Sequence, residues 1–271
     1  AVLLGRVLRV PVSVTLRGTI VPLSGYLLRR LQIGWVLKQA DRVIAVSDSL
    51  KAKALEIGPQ REIRVIPNGV DTAKFHPIPK QQAREELGLK PQARILASVG
   101  GLVRRKGFQR VLEVLPDLTH EVPHLMYVII GGPTVEGDIG PELKEQAKRL
   151  GLDGRVRFTG PLPPEQVRTW LNAADLFCLA TSNEGWANVL MESLACGTPV
   201  LATDVGGNRE IVCRPELGIL VPFGDAAKLR QALADGLTRD WDREAILAHS
   251  RSRSWDKVAD EVVEVFESCL R

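Results

Sequence analysis

Short apolar runs, rich in β-branched residues, recur along the chain, and nine of them read as strands: VSVTL at 12–16, RVIAV at 42–46, IRVIP at 63–67, RILASVG at 94–100, LMYVIIGG at 125–132, RVRFTG at 155–160, DLFCLAT at 175–181, PVLAT at 199–203 and GILVP at 218–222. They are almost continuously apolar rather than alternating, which suits parallel strands covered on both faces. Between them the period lengthens to that of a helix. GPELKEQAKRLGL, from 140, has Pro141 in its first turn, Leu143, Ala147 and Leu150 on one face, and Gly151 as a stop. PPEQVRTWLNAAD, from 163, repeats the design with Val167, Trp170, Leu171 and Ala174. DAAKLRQALADGL, from 225, offers Asp225 as a cap and buries Leu229, Ala232 and Leu233. A last helix begins near Ser254 with Trp255, Val258, Val262, Val263, Phe266 and Leu270 on its apolar stripe.

Strand–helix–strand alternation predicts an α/β fold built on doubly wound parallel sheet. Residues 78–250 hold enough strands for one complete domain, while 1–77 supply three, half a domain at best. PNGVDTAKFHPIPK, 67–80, lacks periodicity and reads as the linker between them. No apolar run approaches the roughly 18–20 residues of a membrane helix. The opening AVLLGRVLRVPVSVTL is broken by Arg6, Arg9 and Pro11 and has no cleavage pattern, so the expectation is a chain that begins partway into a domain.

Composition narrows the chemistry. Cys178, Cys196, Cys213 and Cys269 form no CxxC pair and read as small buried hydrophobes in a reducing, cytoplasmic compartment. His76, His120, His124 and His249 lack metal-ligand spacing, so no metal and no cofactor is expected. The net charge of +4 is scattered and only 5% of residues are aromatic, which speaks against nucleic acid. Anionic small ligands and a peripheral contact with an anionic membrane surface stay open.

In an open α/β sheet, ligands bind beyond the carboxyl ends of the strands. There the first loop, GGLVRRKGF, joins Gly100 and Gly101 to Arg104, Arg105 and Lys106; it suits a diphosphate, or is a surface turn with solvated cations. The next, GGPT, brings Gly131 and Gly132, either for backbone approach to a ligand or as a plain turn. The third, NEGWANVLMESLACGTPV at 183–200, places Glu184 and Gly185 where a helix capped by Ser182 or Asn183 would start, and Glu192 two turns in. A carboxylate at a helix start is favourable by itself. Glu192, on the same face as Asn188, needs donors if buried: a neighbouring cation, or the hydroxyls of a ribose.

These residues resemble a family. Acidic–Gly–aromatic, a second Glu eight positions after the first, then small–Cys–Gly–Thr–Pro–Val, is similar to the E-x7-E signature of retaining glycosyltransferases of family 4 (glycosyl transferase group 1), which have the GT-B fold. EGWANVLMESLACGTPVLATDVGG, 184–207, carries it. ADRVIAVSDSLK at 40–51 and VIPNGVDTAKFHP at 65–77 resemble blocks at the end of that family's first domain, SVGGLVRRKGF its phosphate loop and RVRFTGPLP its base-binding turn. The resemblance implies that Glu192 bonds the ribose of a sugar nucleotide, by default a UDP-sugar, and that Glu184, with Gly185 and Trp186 beside it, meets hydroxyls of the donor sugar. It implies that backbone N–H groups around Asn188 and Val189 hold the diphosphate. Lys106, aided by Arg104 or Arg105, would neutralise its departure without a metal. The acceptor would be a carbohydrate or a lipid-linked sugar, and the last helix, 251–271, would cross back to the first domain.

Three departures stand out. Gly101 holds a place where many members have Arg. In TLRGTI, Arg17 and Ile20 replace the family's His and Asp, so the usual acceptor-side residue is missing. A full member also has several strands before Ala1. Two other readings therefore remain: a truncated, non-catalytic nucleotide-sugar-binding module, and another enzyme of the same fold, such as a sugar-nucleotide epimerase or a phosphorylase.

Overall fold

The computed structural model describes residues 1–58 and 62–270. Each of the nine apolar runs forms a strand: β1 (Ser13–Leu16), β2 (Arg42–Ala45), β3 (Arg64–Val65), β4 (Arg94–Val99), β5 (Leu125–Ile130), β6 (Val156–Gly160), β7 (Leu176–Leu179), β8 (Val200–Thr203) and β9 (Gly218–Val221). They make two parallel sheets, one ordered β1-β2-β3 and one ordered β6-β5-β4-β7-β8-β9. In the larger sheet the chain runs outward from β4 to β6, then returns to β7 on the other side of β4. Winding reverses there, so the loops leaving β4 and β7 diverge and open a crevice between them.

Side chains alternate across this sheet into two layers of core. Ile95, Ala97, Val128 and Phe177 face one way, against the helices Pro164–Ala173, Asn188–Ala195 and Arg243–Arg251. Leu96, Tyr127, Leu176 and Leu201 face the other, against Phe108–Glu121, Gly140–Arg149 and Ala226–Thr238. Burial on both faces is why these strands are not amphipathic. Asp225 caps its helix as its position implied, accepting from Lys228 N at 2.9 Å.

Two expectations need correction. The buried stripe of the helix Trp255–Leu270 is Val258, Val262 and Val265, which meet Ile44 and Ile66 of the smaller sheet. Trp255, Val263, Phe266 and Leu270 lie one helical row over and are exposed, because a single row covers the sheet. Residues 67–80 run between the last strand of the smaller sheet and the first of the larger, and they are packed: Asn68, Val70 and Phe75 are buried, and Val70 N donates to Arg253 O at 3.0 Å. Of the cysteines, Cys178 and Cys196 are buried as expected, but Cys213 is exposed and Cys269 half-buried. Those two lie in the loop after the helix Asn208–Ile211 and on the final helix, where the core no longer encloses them.

Candidate functional site

The crevice is built by the loops after β4 and β7. Backbone comes first. Gly100 and Gly131 stand back to back: at φ +148°, a Cβ on Gly131 would lie 1.8 Å from the Gly100 carbonyl oxygen. Gly101 is pressed on Thr134 and Gly132 on Pro161. These glycines, read from the sequence as openings for a ligand, thus let two loops close on each other. Closure aims the next turn, Arg104–Lys106, across the crevice toward the loop after β7.

That loop is not the first turn of a helix. Ser182 N donates to Arg105 O at 2.8 Å, and Thr181 Oγ1 donates to the same carbonyl at 3.0 Å. These tertiary bonds hold residues 181–187 in an irregular loop, bent at Ser182 and Gly185, so neither Ser182 nor Asn183 caps the helix. The helix Asn188–Ala195 starts only after Ala187, with no side-chain cap. The backbone N–H groups of Asn188 and Val189 have no partner among the described residues and point out of the helix start. Such a terminus favours an anion.

Glu184 is therefore a loop residue. Its carboxylate, only 11% exposed, accepts from Lys106 Nζ at 2.7 Å and from Thr181 Oγ1 at 3.3 Å, with Arg105 Nη1 at 3.5 Å. Arg105 is steadied from behind by Glu136, at 2.6 and 2.8 Å, and this pair raises the guanidinium pKa while holding the Glu136 carboxyl below its usual range. Arg104, by contrast, is exposed and has no side-chain partner among the described residues; it is not gathered with the other two.

Glu192 sits one turn into the helix, not two. It forms no ion pair among the described residues, so the salt-bridge alternative is not realised. Burial lifts its pKa to about 7, against the downward pull of Lys106. Asn188, one turn earlier, accepts from Asn68 Nδ2 at 2.9 Å. Trp186 packs on the cores of both sheets and keeps its indole N–H buried without a partner. Gly185 touches Gly18 in the turn after β1, where a Cβ would meet the Gly18 nitrogen at 2.6 Å. This contact brings Arg17 and Gly18 of the smaller sheet to the crevice. Beside them lies a cavity of about 280 Å³ lined by Leu16, Arg17, Ile20, Arg29, Ile33 and Leu37.

Sequence reading missed Thr181, Glu136, Asn68 and the Gly18 contact. Thr181 closes the apolar run 175–181, just past the end of β7, and could have been found; the others face partners far away in sequence.

Two parallel sheets joined at a crevice, with cations facing an uncapped helix start, define the GT-B glycosyltransferase class. Sucrose-phosphate synthase from Thermosynechococcus elongatus superposes with a TM-score of 0.85 at 24% identity, over 99% of this chain and 71% of that one. Anabaena HepE in complex with UDP superposes with 0.87 at 23% identity, over 98% and 75%. Residues 79–253 match the family of glycosyl transferases group 1 and residues 1–74 that of glycosyltransferase family 4; the chain belongs to the group 1 glycosyl transferases. Among curated relatives, the D-inositol 3-phosphate glycosyltransferase of Thermobispora bispora is 34% identical over 247 residues, and that of Corynebacterium urealyticum 32% over 252. These matches cover 87% and 89% of this chain but 58% and 59% of those proteins.

Proposed function

We propose that this chain belongs to a retaining glycosyltransferase that moves a sugar from a nucleoside diphosphate to a carbohydrate or lipid-linked acceptor, in polysaccharide or glycolipid synthesis. In this reading residues 78–250 bind the nucleotide sugar, residues 1–77 form part of the acceptor side, and residues 251–271 cross back between them. The observation that carries it is the 2.7 Å pair of Lys106 and Glu184 facing the open N–H groups of Asn188 and Val189. Those N–H groups receive the diphosphate. Lys106, with Arg105 behind it, meets the charge that grows on the diphosphate as the sugar leaves, and these groups do so without a metal. Glu184 orients the donor sugar through its hydroxyls, beside Gly185 and Trp186. Glu192 accepts from the ribose. UDP is the default nucleotide, supported by the likeness to HepE, which binds UDP and UDP-glucose. The names of the curated relatives make a phosphorylated cyclitol the first acceptor to try.

We place the work in the cytoplasm, peripherally at the inner membrane face. Among the described residues no helix is long and apolar enough to cross a membrane. Exposed Leu3, Val7 and Leu8 flank Arg6 and Arg9, a pattern that supports contact with anionic lipid. Arg17, brought to the crevice by the Gly18 contact where the family's usual acceptor-side residue is expected, favours a second reading, a nucleotide-sugar-binding module without transfer. Calorimetric titration with UDP, GDP and ADP, in parallel with Glu192→Gln, tests the donor site. One nucleotide should bind, and the variant should lose about 1–3 kcal/mol of binding energy, the worth of a buried hydrogen-bond partner. No binding of any nucleotide at millimolar concentration would overturn the reading. Binding without transfer to any acceptor would favour the module.

A further inference from the structure

The turn after β8 touches both halves of the crevice at once. It runs through Asp204, Val205, Gly206 and Gly207 into a short helix, Asn208–Ile211. On one side it lies flat on the loop that holds Glu184: a Cβ on Gly206 would stand 1.7 Å from the Glu184 carbonyl oxygen, and one on Gly207 would stand 2.4 Å from that of Gly185. Its far end is pinned by Asn208, fully buried, whose Nδ2 donates to Thr203 O at 2.9 Å. On the other side it reaches the smaller sheet. Glu210 accepts from Asp48 N through Oε2 at 2.9 Å and from Ser49 N through Oε1 at 3.2 Å. Those are the first two N–H groups of the helix Asp48–Ile57, and Ser47 Oγ takes the next donor, Leu50 N, at 3.2 Å.

A carboxylate spread over two free N–H groups at a helix start is a strong cap, because it meets both the orphan donors and the positive end of the dipole. Caps normally come from the residue just before the helix. This one comes from 162 positions away, on the short helix that follows β8 of the larger sheet. It therefore stabilises one arrangement of the two halves, the one in which Gly18 lies against Gly185.

We infer that Glu210 is a positioning residue: by capping the helix Asp48–Ile57 across the crevice, it latches the acceptor-side half onto the turn that supports Glu184. The inference rests on the transferase reading for its purpose and on the hydrogen bonds for its existence. A nucleotide that draws residues 183–190 together from the donor side strengthens the latch; a broken latch leaves the nucleotide site intact and uncouples the smaller sheet from it.

Hydrogen–deuterium exchange of the full chain tests this, with and without UDP, in Glu210→Ala and Glu210→Gln. Without ligand, the amides of Asp48 and Ser49 should exchange at least tenfold faster in Glu210→Ala, with Glu210→Gln between it and the parent. Unchanged exchange there would overturn the latch, whether or not UDP binds. If UDP binds, Glu210→Ala should keep its affinity within about twofold and keep the protection of 183–190, but lose ligand-induced protection at 47–51. Equal protection of 47–51 in both proteins would also overturn it. Should UDP bind neither protein, the donor-site reading fails while the ligand-free exchange still decides the latch.

Discussion

Glu192 is the residue whose chemistry the surroundings change most. A carboxyl raised from 4.5 to about 7 holds its proton more tightly folded than unfolded. Between those values the folded chain binds more protons, so stability falls as pH rises and is lowest above 7. The span corresponds to about 3 kcal/mol at most, at 1.36 kcal/mol per pH unit. Glu192→Gln should flatten this slope and be the more stable protein at pH 8, as urea unfolding at several pH values would reveal; equal slopes would refute the burial argument. Ribose hydroxyls donate, so they select the ionised carboxylate. UDP binding should then release protons near pH 7 in the parent and fewer in Glu192→Gln, a difference that cancels the titration of UDP itself. Calorimetry in buffers of unlike ionisation enthalpy measures it. The Glu184–Lys106 pair follows another rule. Lys106→Met leaves the 11%-exposed Glu184 carboxylate with only Thr181 Oγ1 at 3.3 Å and Arg105 Nη1 at 3.5 Å, and should cost about 1.5–3 kcal/mol of stability. Adding Glu184→Gln should restore part of that loss, since an amide tolerates burial better than an unpaired charge. It should not restore nucleotide-dependent transfer.

At the scale of elements, close backbone contact decides more than propensity. Gly206, at φ +53°, faces the Glu184 carbonyl, whereas Gly224, at φ +84°, faces open space. Alanine at Gly224 should cost only the left-handed penalty of about 1–2 kcal/mol. Alanine at Gly206 must also move the Glu184 loop, so it should cost more and weaken UDP binding, which Gly224→Ala leaves alone. Comparable thermal shifts for the two variants would count against the contact. This contrast also explains what the sequence disclosed. The strands were legible because apolar runs buried on both faces are a local signal, and the Asp225 cap because donor and acceptor are three residues apart. The start of the helix Asn188–Ala195 was not: Ser182 and Asn183 look like caps, but Arg105 O engages Ser182 N and Thr181 Oγ1 through the fold, and the helix starts only at Asn188, uncapped. Glu136, Asn68 and Glu210 find partners 31, 120 and 162 positions away, and nothing near them in sequence marks those meetings. The alignment of Glu184 with Glu192 was legible as spacing, while the pairing of only one of them with cations is a property of the crevice.

Across the whole molecule, the two sheets are joined where the chain passes between them twice, at 67–70 and at 253–254. Gly69 lies so near Ser254 that a Cβ would come within 2.6 Å of the Ser254 carbonyl carbon, and Val70 forms a parallel bridge with Ser254. Arg253 closes the crossing: Nε and Nη2 donate to Pro67 O at 3.2 and 2.7 Å, and the guanidinium forks onto Glu261 at 2.5 and 2.8 Å. Arg253 thus ties the passage into the larger sheet to the helix leaving it. Its hydrogen bonds, and then its charge, hold the Glu261 carboxyl below the usual range. A depressed carboxyl stabilises the fold above its unfolded value of about 4.5, and that contribution fades as pH drops through the folded value. Arg253→Met keeps the aliphatic stem but removes every one of these donors, so it should cost about 1.5–3 kcal/mol at pH 7. The helix Trp255–Leu270 should then exchange its amides faster. As pH falls below about 4.5 the two proteins should draw progressively closer, because the parent loses the Glu261 contribution that the variant never had. Urea unfolding at pH 7 and at a series of pH values descending from 4.5 decides between the two partners: a gap that narrows along the series assigns the work to Glu261, while a gap of constant size assigns it to the Pro67 carbonyl, which does not titrate.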